Sequence, residues 1–232
     1  MHAMSSRPIL PLIAMALLAS CSIPAGRGTP GEQPTRTPPI SQPAPVAATP
    51  DARQCLANLA QGGAQFTPLP DRYIGTGCTN LNTVQLTALS GDNGYLAIAN
   101  LGPTTCDVSR AFAGWVRFGV DRAARQIMGS PLRSVETFGS YSCRNVAGSG
   151  RRSAHATAAA IDVSAFVLED GRRIVLTEDW NGGSSAERQF LRVVHDSACK
   201  RFDTVLGPEY NAAHRDHFHV EGVISGGKSF CR

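Results

Sequence analysis

The chain has 232 residues with 42% hydrophobic and 6% aromatic content, enough for one sizeable core or two small ones. Its formal charge is only +4, with no lysine/arginine run and no interleaved aromatic stripe, so it carries no footprint for binding nucleic acid. A mild positive balance in an exported chain suits an anionic wall polymer as partner.

Residues 1 to 20 do not pattern as folded protein. Arg7 is followed by a nearly unbroken apolar stretch from Ile9 to Ser20, about a dozen residues. A bilayer core needs about 20. A basic start, a short apolar run and small residues before a cut point describe an export signal. The segment "LASC", Leu18 to Cys21, resembles the bacterial lipobox, which implies lipidation of Cys21 and a membrane anchor. Ser22 stands at the next position where an aspartate would be a retention signal, so the resemblance implies the periplasmic side of the outer membrane. Between Ser22 and Pro50, eight of the fifteen prolines fall among Gly, Thr, Ala and Gln, and residues 21–50 read as an extended tether.

Residues 51–232 form the expected domain. Setting Cys21 aside, six cysteines remain: Cys55, Cys78, Cys106, Cys143, Cys199 and Cys231. An even set in an exported chain predicts three disulfides, with the pairing open. No pair has the C-x-x-C spacing of a cysteine zinc site. Within the domain, 109–129 predicts a helix, with Ser109 as its cap and Gly129 past its end. The segment 160–176 predicts two strands joined at Asp170–Gly171. The segment 184–202 begins with a capping-box spacing, Ser184 to Glu187, and continues with apolar residues at helical intervals. "HFHVEGV", 217–223, predicts a short closing strand. Helices and hairpins together predict an α+β fold, with a small antiparallel sheet, flanking helices and disulfide support. Trp115 and Trp180 are expected in the core, and His195 is expected to be structural.

Chemistry concentrates in two places. "SAHATAAAID", 153–162, holds His155 and Asp162 seven residues apart, and "NAAHRDHFHVEG", 211–222, packs three histidines into six positions. Two histidines and a carboxylate form a typical catalytic zinc shell, with the fourth position open. On a strand, His217 and His219 share a face. If His219 is a ligand, either Asp216 or His217 is then placed to serve as general base. His214 falls outside the strand and is expected to support the site or lie at the surface.

The pattern S-x-H-x(6)-D followed by D-H-F-H resembles the zinc peptidase superfamily of lysostaphin, D-alanyl-D-alanine peptidases and murein endopeptidases. More closely, "SYSCR", "SAHATAAAIDVSAF", "EDW", "FLRVVHDSAC" and "VLGPEYNAAHRDHFH" resemble the bacterial extensin-like C-terminal domain family. The resemblance implies Zn2+ held by His155, Asp162 and His219. It also implies Asp216 or His217 as base, Arg144 at the substrate carboxylate or oxyanion, and Ser153 at the substrate rim. Its implied activity is cleavage of peptide bonds in peptidoglycan. The alternative is a degenerate wall-binding module of the same fold, and a purely structural lipoprotein is the third class. The chain departs from its relatives at Ala154, Ala158 and Ala159, where they carry an acid, glycine and asparagine. None of these changes removes a ligand. An alanine at 158 is costly wherever that position requires a positive φ.

Overall fold

The computed structural model describes residues 49–232; the expected signal, Cys21 and all but the last two residues of the expected tether lie outside the described residues. In chain order, α1 (Pro50–Gln61) leads to β1 (Gln65–Pro68), β2 (Arg72–Gly75), β3 (Cys78–Asn80), β4 (Thr83–Ser90), β5 (Tyr95–Ala99) and β6 (Pro103–Thr105). Then come α2 (Cys106–Trp115), β7 (Leu132–Gly139), β8 (Ala160–Leu168), β9 (Arg173–Val175), α3 (Leu176–Gly182) and α4 (Ser185–Ala198). The chain closes with β10 (Thr204–Leu206), β11 (Phe218–Glu221) and β12 (Phe230–Cys231).

The class is α+β, as expected, but the sheet is neither small nor purely antiparallel. Ten strands join in one mixed sheet whose main path runs β1-β4-β5-β7-β8-β11-β10-β12. β5 pairs with β7, and β10 with β12, in parallel. β2 and β3 form a separate hairpin. At the centre, all nine residues of β8 are buried, so both sheet faces are covered there.

The helix expected over 109–129 begins three residues earlier, at Cys106. Ser109 is not its cap but a buried residue inside it. Thr105 occupies the cap position, and two stretches of π-type turns carry the helix on to Met128. Gly129 ends it with φ 70°, a left-handed stop that glycine takes without penalty. Gly119 is needed for packing: a Cβ there would lie 2.2 Å from Ser197 Oγ on α4. The close crossing lets the Trp115 indole N–H donate to the Val194 carbonyl at 3.1 Å. Around Trp115, the rings of Phe112, Phe166 and Phe202 pack tilted or edge-on with centroids 5.8–6.2 Å away. Each fully buried phenylalanine contributes about 1.5–3 kcal/mol by leaving water.

α4 starts as its spacing predicts. Ser184 Oγ accepts from the Glu187 N–H, and Glu187 answers on the Ser184 N–H, but the helix ends at Ala198 rather than 202. β8 and β9 flank the expected turn, whereas Leu176 begins α3 instead of ending a strand. The six cysteines form three disulfides: Cys55–Cys106, Cys78–Cys143 and Cys199–Cys231. Their closed loops, 32 to 65 residues apart in sequence, each contribute roughly 4 kcal/mol in the chain-entropy account. Cys78–Cys143 ties the β2–β3 hairpin to the segment just before Arg144.

Candidate metal centre

Strand register builds most of the site. In the antiparallel pairing of β8 with β11, His219 lies directly opposite Asp162. His155 comes from a 3-10 turn, Ala154–Thr157, which Ser153 caps and Ala158 ends at φ 55°. The position thus does require a positive φ, and alanine pays about 1–2 kcal/mol for it. The buried Ala158 methyl returns roughly 0.8 kcal/mol. A glycine would also lose roughly 0.5–1 kcal/mol more backbone entropy on folding. The costs nearly cancel, which is why the left-handed stop tolerates an alanine.

Three atoms converge. His155 Nε2 lies 3.2 Å from Asp162 Oδ1 and 3.1 Å from His219 Nδ1, and the last two are 2.9 Å apart. All three residues are buried. The partners of the remaining ring nitrogens fix both tautomers. His155 Nδ1–H donates to the Ser140 carbonyl at 2.5 Å, and His219 Nε2–H donates to the Glu221 carboxylate at 3.0 Å. Each partner can only accept, so both inward nitrogens are left with lone pairs facing each other and a carboxylate oxygen. Three converging acceptors need a cation or a shared proton between them.

A tetrahedral zinc with ligand bonds of 2.0–2.2 Å separates its ligand atoms by about 3.3–3.6 Å. The observed triangle is a few tenths of an ångström tighter, and the donor set, two imidazoles and one carboxylate, suits that ion. Without metal, a proton takes the place. Burial disfavours the charged His219 imidazole, but its hydrogen bonds to Asp162 and Glu221 outweigh this and push it up to about 9. Burial likewise works against the charged Asp162 carboxylate, yet hydrogen bonds from His155 and His219 hold it far below the usual carboxylate range. A second cluster, His195, Cys199 and Cys231, has the spacing of a metal site, but its sulfurs are already joined to each other. His195 instead packs between Trp180 and Phe218, with Nε2 on the Arg232 carbonyl.

Of the other expected residues, His217 reaches the centre and Asp216 reaches only His217, so the two form a linked pair. His217 Nδ1–H donates to Asp216 Oδ1 at 2.8 Å, and its Nε2 points to within 3.3 Å of Asp162 Oδ1. Arg144 is exposed, and among the described residues its guanidinium has no hydrogen-bond or ion-pair partner. Its charge reaches His214, where burial first and then the neighbouring His217 and His219 depress the imidazole to about 4. Ser153 is only 7% exposed, and its hydroxyl accepts from the His155 N–H, so it orders the turn. His214 sits at the rim, with its Nδ1–H on Asn211 Oδ1.

Glu221 escapes the sequence reading, although the signal was present: two residues past His219 on a strand places it on the same face. It shapes the centre by holding the His219 ring and tautomer from behind. Glu221→Gln is therefore expected to weaken zinc binding about 10- to 100-fold, measured by competition with a chromogenic chelator. Unchanged affinity would remove Glu221 from the site.

Residues 53–232 match the family described as extensin-like protein C-terminus, and the chain belongs to that family. No curated protein and no solved structure matches.

Proposed function

We propose that this extensin-like domain is a zinc-dependent peptidase that hydrolyses amide bonds in peptidoglycan stem peptides or cross-links. The observation that carries the proposal is the convergence of two tautomer-fixed histidine nitrogens and the Asp162 oxygen beside an oriented His217–Asp216 pair. A bound zinc ion would be held by His155, Asp162 and His219, lowering the pKa of water toward ~7 and polarising the scissile carbonyl.

The chain's own groups divide the remaining work. Asp216 anchors His217 Nδ1–H, which leaves Nε2 as the basic nitrogen turned to the centre, the arrangement by which a carboxylate sets the tautomer of a catalytic imidazole. His217 is thus the base, and Asp216 positions it. Nε2 takes a proton from the attacking water and delivers it to the departing amine as the C–N bond breaks. Arg144, exposed and without a side-chain partner among the described residues, is available to a substrate carboxylate or to the developing oxyanion. Three disulfides suit an oxidising compartment. Export and anchoring through lipidated Cys21 at the outer membrane complete the proposal.

The test is digestion of purified murein sacculi with the zinc-loaded full chain, read by mass spectrometry of released muropeptides. New amide-cleaved fragments are expected from wild type and none from His217→Ala. Equal binding of sacculi by both, without cleavage by either, would overturn the enzyme in favour of a wall-binding module.

A further inference from the structure

Three of the eight large hydrophobic side chains exposed among the described residues are joined by a chain of ring contacts that runs through His217 beside the candidate centre. Phe138, at the end of β7 and 61% exposed, stands edge-on to His217 with centroids 5.9 Å apart. His217 contacts His214 at 5.2 Å, His214 contacts Tyr210 at 5.5 Å, and Tyr210 contacts Phe230 at 6.1 Å. Tyr210 and Phe230 are 42% and 45% exposed. Single exposed aromatics are ordinary; a continuous chain of ring contacts that passes the candidate centre is not. The sequence hides it, because Phe138, Tyr210 and Phe230 come from strand β7, the loop after β10 and the terminal strand β12. β12 is held in place by Cys199–Cys231 and by its parallel pairing with β10.

From this row we infer a carbohydrate-binding track: a second subsite that holds the sugar rings of a glycan strand while its attached peptide reaches the metal centre. The inference rests on the peptidase proposal for its biological setting. A pyranose ring offers an apolar C–H face and a hydroxyl edge. The track matches both, with aromatic rings for the face and polar groups along it for the edge. Those polar groups are His214, Asn211 and the Arg232 guanidinium, which lies 4.9 Å from the Phe230 ring centre. Interleaved imidazoles and amide would be poor contacts for a lipid chain or a purely apolar side chain.

Among the described residues the ring contacts of Tyr210 and Phe230 are with His214 and with each other, not with the residues assigned to zinc or proton transfer, so they separate the track from catalysis. The experiment compares kcat/KM of the zinc-loaded full chain on a disaccharide-bearing muropeptide and on the same stem peptide without sugar. Loss of the two rings in Tyr210→Ala/Phe230→Ala is expected to lower kcat/KM roughly tenfold on the sugar-bearing substrate, the worth of one or two aromatic contacts. On the bare peptide the change should stay within about twofold, and Tyr210→Phe should behave as wild type. Equal losses on both substrates, or none on either, would overturn the track. If wild type cleaves neither substrate, the peptidase proposal fails, and an N-acetylglucosamine tetramer titrated against the chain by NMR still decides. Binding by wild type that is lost in the double variant upholds the track, and no binding by wild type overturns it.

Discussion

Replacing His217 with alanine is expected to leave zinc bound and to cut kcat on a muropeptide substrate by about 10²- to 10⁴-fold, the usual worth of a positioned general base. His217 is not one of the three converging ligands, and its nearest tie to them is the 3.3 Å approach to Asp162. Removing it therefore leaves the metal triangle standing. Asp216→Asn should fall between wild type and His217→Ala, because an amide still meets Nδ1 but no longer dictates which ring nitrogen keeps the proton. Full activity in His217→Ala together with a dead Asp216→Asn would reverse the two roles.

The second large effect falls on the metal itself. Loss of a partner behind a ligand typically costs 10- to 100-fold in affinity, so losing a ligand outright in His155→Ala or His219→Ala is expected to cost more than about 100-fold. Activity should vanish with it. The pH dependence has a definite sign. In the metal-free chain His219 is raised to about 9, so at neutral pH it holds a proton that the ion must displace. Zinc affinity should therefore climb about tenfold per pH unit from neutrality and level off above roughly pH 9. In His219→Ala that slope should disappear.

That His155, Asp162 and a histidine of the closing strand would come together was legible in the sequence, from their order and spacing and from the family resemblance that singled out His219. The pairing of β8 with β11 then places Asp162 and His219 side by side. What stayed hidden depends on backbone that sequence patterns do not specify. The Ser140 carbonyl that fixes His155 comes from the residue just past β7, whose register with β8 contains shifts that no alternation reveals. Whether Asp216 faces the centre or its neighbour depends on the turn before β11. It faces His217, so the two candidate bases form one hydrogen-bonded pair. Ser109 had the chemistry of a cap, but Thr105 ends a strand where the helix begins, and tertiary packing of Cys106 and Val108 extends that helix backward. The large sheet is hard to read from sequence because its first strands β1, β4, β5 and β6 are short, only three to eight residues each, and β1 faces mostly solvent.

Whether these residues form a zinc site is decided by a calorimetric titration of the metal-free full chain at neutral pH. One ion per chain is predicted, with release of about one proton, seen as a heat that varies with the ionisation enthalpy of the buffer. Failure to take up zinc, or uptake that persists unchanged in a His155→Ala/His219→Ala chain, would contradict the zinc site.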